Sequence, residues 1–412
     1  MTANCIDAPA APTATTARTA ALLRQAVLDA KGAVHGYELL DRSTGGDAVN
    51  EALLQRQPLQ LADRRLLFVD ATPQLLEGEA LKQADPANLV LQVTPPVGER
   101  PEDIAAWVPQ LQQLRERGFR LALGRSAIRK AYAACWPLAT YVKLDLESTE
   151  TELLEPLLKF VHTHTTAQTI ACQIASKSQF DRLVKLGVPL FQGDWFARPS
   201  PVPGGTIKPS QAVVIQLINL LHKEADLDEI EPLLKRDPSL SFNLLRAINA
   251  SGMGLSCEIT SLRHAVMILG QKRLFRWATM LLTMARGGGG APAVATTAMV
   301  RGRLMELLAA ELLAPQDCDN AFVTGVFSLL DAMLDMPMAR ALESLALPQP
   351  VADALLRREG MLAPFLALTE ACENNDDAAF AEAADQLQLS SHQINWAHLQ
   401  ALAWAEELAQ GW

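Results

Sequence analysis

Two side chains that could do chemistry stand four residues apart near the start of the chain, in the stretch Gly36-Tyr37-Glu38-Leu39-Leu40-Asp41-Arg42. The stretch follows a short apolar run, so Glu38 and Arg42 should lie at the end of a strand. A carboxylate and a guanidinium in that position could hold a metal ion or an anionic substrate. They could also form a surface ion pair with no ligand. The strands and helices around Glu38 and Arg42 help to decide between a ligand site and a surface ion pair.

Strands and helices alternate along the first half of the chain. Residues 22–28 and 33–40 are predicted to form two strands around the hairpin turn Ala30-Lys31-Gly32. Six further strands are predicted at residues 66–70, 88–93, 119–123, 141–146, 169–174 and 189–191. Helices are predicted at residues 73–83, 102–117, 148–164 and 177–186. This alternation is typical of βαβ units, and no Gly-x-Gly-x-x-Gly follows the first strand. The pattern therefore favours a barrel with its chemistry at the carboxyl ends of the strands.

A Pro- and Gly-rich segment at residues 198–205 marks the clearest domain boundary. The strand patterns end there, and amphipathic helices follow to the end of the chain. One helix should begin at Asp237-Pro238 with Asp237 as its cap, and another should end at Gly270. We predict a disordered tail at residues 1–17, a barrel domain at 18–199, a linker at 200–209 and an all-helical domain at 210–412.

The composition excludes several classes of protein. The formal charge of the 412 residues is −10, which argues against a binder of nucleic acid or of anionic membranes. The six cysteines form no Cys-x-x-Cys pair, as expected for reduced thiols in a cytoplasmic protein. No uncharged run has the length and apolar character of a membrane span, and the Ala/Thr/Pro-rich N-terminus lacks a signal-peptide pattern. We expect a cytoplasmic protein without a cofactor.

The segment Glu38-Leu39-Leu40-x-Arg42 resembles the signature of EAL domains, the cyclic-di-GMP phosphodiesterase family. Val142-Lys143-Leu144-Asp145 and Gln192-Gly193 resemble later motifs of that family. The helical half resembles an HDOD domain in Asp237-Pro238-Ser239-Leu240-Ser241-x-x-Leu244-Leu245-Arg246-x-x-Asn249 and in Ile259-Thr260-Ser261-Leu262-x-x-Ala265-Val266-x-x-Leu269-Gly270. The resemblance covers almost the whole chain. It implies a two-domain bacterial signalling protein, with a TIM-like (β/α) barrel of EAL type followed by an all-helical HDOD domain.

An EAL phosphodiesterase holds divalent metals with carboxylates and an Asn at its strand ends, and the metals activate water. The resemblance implies Glu38 as one ligand and puts Asp70 at the position of the Asn. Five other carboxylate positions carry Gln92, Gly124, Arg125, Cys172 and Ala175. A guanidinium is always charged, so Arg125 would repel a metal beside it by a few kcal/mol. We therefore predict that the barrel is degenerate, binds no metal and is not an enzyme.

Seven residues of this site could still bind a ligand, and two interpretations of them stay open. They are Glu38, Arg42, Asp70, Arg125, Lys143, Asp145 and Gln192. In one interpretation the carboxylates pair with Arg125 and Lys143 and leave an inert plug, with Arg125 near the position of the metal. In the other, Arg42 and Lys143 hold a phosphate without metal.

The helical half shows no catalytic motif. None of the seven histidines is followed by Asp, the pair through which HD-type phosphohydrolases bind metal. Arg263, Arg273 and Arg276 lie close to Trp277 in the sequence, a composition typical of binding hot spots, although Trp277 could simply be core. We predict a non-catalytic signalling protein whose barrel is coupled to an HDOD domain that binds a protein partner. The alternative is a cyclic-di-GMP receptor or a residual cyclic-di-GMP phosphodiesterase.

Overall fold

Eight strands close into a barrel in the first half of the chain. They are β1 (Leu22–Asp29), β2 (Val34–Asp41), β3 (Leu66–Asp70), β4 (Leu89–Val93), β5 (Arg120–Gly124), β6 (Tyr141–Asp145), β7 (Gln168–Ile174) and β8 (Leu190–Gly193). The structure is a computed structural model that describes residues 22–41, 65–72, 75–76, 81–82, 85–96, 100–146, 153–198, 207, 209–249, 259, 261–284, 292–374 and 377–411. All eight predicted strands are confirmed, with ends that differ by at most two residues.

The first strand runs antiparallel to both of its neighbours, β2 and β8, whereas the other neighbouring strands are parallel. The turn between β1 and β2 is too short for a crossover, so these two strands must form a hairpin. Asp29 holds the turn, because its carboxylate accepts the backbone N–H groups of Lys31 and Ala33 at 2.8 and 2.9 Å. The hairpin brings no helix of its own, so its outer face needs cover from elsewhere.

Apolar side chains that point inward fill the middle of the barrel. They belong to Val27, Phe68, Val90, Ala122, Tyr141, Ile170 and Leu190. Side chains of a strand alternate between its two faces, so the next inward position lies two residues further along. Several strands carry a polar residue there, and we call this group the polar layer: Glu38, Asp70, Gln92, Lys143 and Gln192, together with Cys172 and Gln25. The layer lies toward the carboxyl ends of the parallel strands.

The described helices of the barrel half follow β4, β6 and β7. They are α1 (Pro101–Glu116), α2 (Leu154–His164) and α3 (Lys177–Lys185). A capping box opens α3, since Ser176 accepts the N–H of Gln179 and the Gln179 side chain bonds back to Ser176. The helix predicted at residues 73–83 lies mostly outside the described residues, as does the start of the helix predicted at 148–164.

The second half is all-helical, as predicted. Its helices are α4 (Pro209–His222), α5 (Leu227–Lys235), α6 (Pro238–Asn249), α7 (Leu262–Met284), α8 (Pro292–Ala310), α9 (Pro315–Phe327), α10 (Leu330–Leu334), α11 (Met338–Glu343), α12 (Gln349–Arg357), α13 (Ala363–Ala371), α14 (Asp377–Leu387) and α15 (Ser391–Gly411). The predicted cap is present, because Asp237 accepts the N–H of Leu240 at 3.1 Å. The helix predicted to end at Gly270 continues to Met284, but Gly270 kinks it, with a φ of +73° and a ψ of 162° that glycine adopts without strain.

Helices of the second half cover the bare outer face of the β1–β2 hairpin. Leu22, Leu28, Tyr37 and Leu39 on that face belong to one continuous apolar core with the helical half. Helix α8 reaches the hairpin turn, where Ala293 donates its N–H to the carbonyl of Gly32. The fold class, a TIM-like barrel followed by an all-helical domain, is therefore confirmed, and the two halves share a core. No described helix combines the length and apolar character that a membrane span requires.

Candidate functional site

Glu38 is the centre of the polar layer. Its side chain points into the barrel from β2 and is buried, with 3% of the residue exposed. Lys143 on β6 donates from Nζ to Glu38 Oε1 at 2.5 Å, and Gln92 on β4 donates from Nε2 to the same oxygen at 2.6 Å. Gln192 on β8 donates to the other carboxylate oxygen. Four strands thus supply one hydrogen-bonded cluster.

The hydrogen bonds fix the orientation of both amides in this cluster. The thiol of Cys172 donates to Gln192 Oε1 at 3.3 Å, which leaves Gln192 Nε2 to donate to Glu38 and to Gln25 Oε1. Gln92 accepts from Lys143 at Oε1 (2.6 Å) and donates from Nε2 to Asp70 at 3.2 Å as well as to Glu38. The cluster is therefore a chain of donors and acceptors that runs across the barrel.

A close approach between β7 and β8 helps to place Gln192. The next residue is Gly193, where a Cβ atom would overlap the backbone of Ile174 on β7. A glycine is required for this close approach between the strands. Gln192-Gly193 thus acts as a unit, in which the glycine lets β8 lie against β7 and the glutamine reaches Glu38.

The electrostatics of the layer follow from burial and from Glu38. Burial lowers the pKa of Lys143, but the charge of Glu38 outweighs it, so the pKa lies above its ordinary value and the group is an ammonium. Burial and the neighbouring Glu38 charge raise the pKa of the Asp70 carboxyl. Burial also raises the pKa of Cys172 to about 12, so the thiol keeps the proton that it donates to Gln192. The polar layer therefore contains a cation, the Lys143 ammonium, which donates hydrogen bonds to Glu38 and Gln92.

The structure brings together four of the seven predicted site residues, namely Glu38, Asp70, Lys143 and Gln192. Asp145 is half-buried at the end of β6 and pairs in register with Cys172. Arg42 lies outside the described residues. The predicted pairing of Glu38 with a basic group exists, and Lys143 provides it. The role of these residues toward a ligand stays a prediction.

At Glu38 the basic partner is Lys143, and the predicted pairing of Arg125 with Glu38 or Asp145 stays a prediction. The strand β5 ends at Gly124, and the chain turns at once into the short 3-10 helix Arg125–Ala127. Because Arg125 follows this turn and not the alternation of the strand, its position could not be read from strand periodicity. It is half-buried and lines a cleft of about 660 Å³ with Arg129 and Leu153.

Three contributors to the cluster were not predicted. Gln92 and Cys172 were considered only as lost metal ligands, yet both orient other members of the layer. Gln25 was not considered at all. The sequence pattern could have revealed it, because Gln25 is a polar residue at an inward position of β1 between Leu23 and Val27.

The divalent metals implied by the EAL resemblance find few ligands here. Glu38 and Asp70 lie close together, since both accept from Gln92 Nε2. Within the described ranges, no group of three His, Cys, Asp or Glu side chains could hold a metal ion. The Lys143 ammonium already forms a salt bridge with Glu38 Oε1. The donor set of the described residues therefore does not fit a resident divalent metal.

In the helical half, the alternative given for Trp277 is confirmed, because this residue is buried in the core and only 3% exposed. The neighbouring Arg276 makes a double hydrogen bond to Glu306 and lies 3.9 Å from the centre of the Phe322 ring. Arg263 is exposed and pairs with Asp228 at 2.7 Å. The sequence cluster of arginines and Trp277 is therefore not one binding surface.

Residues 207–348 match the family model of the HDOD domain. The helical half contains an HDOD domain. Two relatives match along most of the chain. "Cyclic di-GMP phosphodiesterase CdgJ" of Vibrio cholerae is 24% identical over 405 residues, which is 95% of this chain and 93% of that protein. "Uncharacterized protein YuxH" of Bacillus subtilis is 25% identical over 423 residues, which is 93% of this chain and 98% of that protein.

Solved structures match the barrel half. A standalone EAL protein from Vibrio cholerae O395 in its c-di-GMP-bound form is 18% identical and covers 45% of this chain and 94% of that chain, with a TM-score of 0.37. The FimX EAL domain from Pseudomonas aeruginosa bound to c-di-GMP is 20% identical and covers 45% of this chain and 92% of that chain, with a TM-score of 0.34.

The prediction that this chain is not an enzyme is wrong. The finding that overturns it is the match along 95% of the chain to CdgJ, which is named a cyclic di-GMP phosphodiesterase. The prediction rested on carboxylates missing at positions such as Gln92 and Arg125. Counting ligands at matched positions tests one arrangement of metals and not the activity itself. The missing carboxylates therefore do not exclude catalysis.

Proposed function

We propose that this chain is a cyclic-di-GMP signalling protein whose polar layer binds the nucleotide and whose HDOD domain passes the state of the barrel to a protein partner. The observation that carries the proposal is the ammonium of Lys143 at the carboxyl ends of the strands. Its side chain is 20% exposed, so a phosphate can approach it. The match to CdgJ, named a cyclic di-GMP phosphodiesterase, supports this choice of nucleotide.

Lys143 has the hydrogen-bonding capacity that a phosphodiester needs. An ammonium has three donors, and the described structure uses two of them, for Glu38 and for Gln92. A phosphate oxygen can take the third in a charge-assisted hydrogen bond. Because Glu38 and Gln92 hold Nζ in place, this donor is positioned before the ligand arrives, which reduces the entropy cost of binding.

Strands β1 and β2 contribute inward side chains to the polar layer, and their outward side chains contact the helical half. On β2, Glu38 points inward and its neighbour Tyr37 points outward, where its hydroxyl donates to Glu406 on α15 at 2.5 Å. On β1, Gln25 points inward and Arg24 points outward, where it bonds to Glu373 at 3.1 Å. A ligand that shifts Glu38 or Gln25 therefore acts on strands that contact the helical half directly.

The partner surface is proposed to lie on the HDOD domain. Phe242 on α6 is 63% exposed and Met267 on α7 is 56% exposed, both large apolar side chains that a partner could bury. Coupling through the shared hairpin would let the barrel alter the presentation of this half to the partner.

Hydrolysis of the bound nucleotide is a second candidate function. It is favoured by the name of CdgJ and by the carboxylates that remain at Glu38, Asp70 and Asp145. The same preparation tests both functions, because linear product can be measured by chromatography after each binding experiment.

The test is calorimetric titration of the full chain with cyclic-di-GMP, with and without magnesium. Lys143→Met keeps the length of the side chain and removes its charge, so affinity should fall by about tenfold or more. The double variant Glu38→Gln/Lys143→Met removes the pair together and guards against an unpaired buried carboxylate. Lys185→Met, at the exposed end of α3, is the matched control and should bind as the wild type does. Equal affinity of the Lys143→Met and wild-type proteins would contradict the proposal.

A further inference from the structure

A second cleft lies between the barrel and the helical half, beside the polar layer. Its volume is about 410 Å³. One wall is formed by the first half of β1 and the segments that follow β7 and β8, and the other by α8 and the segments around α10 and α13. A cleft of this volume falls within the usual range for small-molecule sites. Gln25 of the polar layer reaches its wall, but Glu38 and Lys143 do not line it, so the cleft is a neighbour of the site proposed above.

Four arginines line this cleft, and two of them form its buried floor. The floor arginines are Arg24, with 3% of its side chain exposed, and Arg301, with 9% exposed. Both bond to the single carboxylate of Glu373, Arg24 at 3.1 Å and Arg301 at 2.7 Å. Arg198 and Arg358 stand at the rim, with more than half of each side chain exposed. The rim arginines pair with Asp194 and Glu370, and on the floor Arg301 also lies 3.6 Å from Glu370, whereas Glu373 is the one carboxylate that bonds to Arg24.

Arg24 is left with donors that nothing in the described structure uses. Its Nε and Nη1 atoms are buried and have no hydrogen-bond partner there. The nearby His398 ring does not accept from them, because both of its nitrogens are also without a hydrogen-bond partner there. Buried donors are nearly always paired in folded proteins, so two orphaned groups on one guanidinium point to a missing acceptor.

We propose that this interdomain cleft binds a small anion that carries a phosphate group, with Arg24 as the receptor on the floor and Arg198 at the rim. Phosphate suits the site because it offers several acceptor oxygens to guanidinium groups that approach from different directions. Since Arg24 and Arg198 come from the barrel and Arg301 and Arg358 from the helical half, an occupant would touch both halves of the protein.

The test is calorimetric titration of the full chain with inorganic phosphate and, separately, with guanosine monophosphate. These two probes distinguish a site for free phosphate from a site for a phosphate ester. Arg198→Gln changes only an exposed residue, so this variant should fold, and its affinity should fall by about tenfold. Arg24→Gln should lose binding altogether. Arg100→Gln is the matched control, because Arg100 is an exposed arginine paired with Asp103 in the way that Arg198 is paired with Asp194.

The expected result is saturable binding of at least one probe that is weakened by Arg198→Gln and unchanged by Arg100→Gln and by Lys143→Met. The last variant separates this site from the polar layer, so each proposal can fail alone. If Arg24→Gln does not fold by circular dichroism, the comparison of Arg198→Gln with Arg100→Gln decides. Absence of saturable binding by either probe would overturn the proposal, as would affinity that Arg198→Gln leaves unchanged.

Discussion

The hydrogen bond between Tyr37 and Glu406 should be one of the main polar contacts that join the two halves. Both groups are buried, with Tyr37 fully covered and Glu406 1% exposed. Burial and the nearby Glu406 carboxylate raise the pKa of Tyr37, so its hydroxyl stays a donor. Glu406 keeps one further partner, Arg65 at 3.0 Å, whose side chain is 35% exposed. The substitution Tyr37→Phe removes only the hydroxyl and leaves the ring packed.

The expected cost of Tyr37→Phe is about 2 kcal/mol of unfolding free energy, because a hydrogen bond to a charged group contributes about 1.5–3 kcal/mol. Tyr132→Phe is the matched control within the barrel. Its hydroxyl is also attached to a buried ring but donates to the neutral carbonyl of Pro96 at 3.0 Å. That variant should lose only about 1 kcal/mol.

The assay is urea unfolding of the full chain, followed by fluorescence and by circular dichroism. Since the halves share one apolar core, both probes should report the same transition. The double variant Tyr37→Phe/Glu406→Gln should cost less than the two single variants added together, because both remove the same contact. A Tyr37→Phe midpoint no lower than that of Tyr132→Phe would refute this account of the interface.

Two further predictions concern pH. Burial, followed by the charge of Arg24, lowers the pKa of His398 from 6.5 to about 3. The unfolded chain therefore binds a proton that the folded chain rejects as pH falls below 6.5, and stability should drop by about 1.4 kcal/mol per pH unit. His398→Leu should flatten this slope in urea midpoints, and an unchanged slope would contradict the burial of a neutral ring. Asp70 behaves in the opposite sense, because burial and Glu38 raise its pKa above 3.8, so its ionised form disfavours the fold as pH rises. Asp70→Asn should therefore raise the urea midpoint near neutral pH and leave it unchanged below pH 3.8, whereas a lower midpoint at neutral pH would show that the carboxylate stabilises the layer.

Much of the fold could be predicted because it depends on local patterns. The apolar runs of the strands, the cap at Asp237 and the glycine at Gly270 each act within a few residues. Helix α8 shows the limit of this reasoning, since the apolar pattern does not mark its start at Pro292. Its first turns are Ala- and Thr-rich, and only packing of small residues such as Ala293 and Ala298 reveals that they are buried.

The polar layer could be predicted only in part. Glu38, Asp70, Lys143 and Gln192 were predicted from the resemblance to EAL domains. Their hydrogen bonds join residues up to 154 positions apart, so no sequence window contains both partners. The contacts of Tyr37 and Arg24 with the helical half span even greater separations, so the shared core could not be predicted from local patterns. The prediction that the chain is not an enzyme failed for a related reason. It considered each metal-ligand position separately and not the site as a whole.

Hydrogen exchange of the full chain with and without cyclic-di-GMP tests the central claim most directly, since it reports on binding and transmission together. Ligand bound at the polar layer should slow exchange in the described parts of β2 and β6 and also alter exchange in α15, where Glu406 meets Tyr37. In Tyr37→Phe the barrel response should remain while the response of α15 shrinks. Changes confined to the barrel in the wild-type protein, or no change in β2 and β6 at saturating nucleotide, would contradict the account.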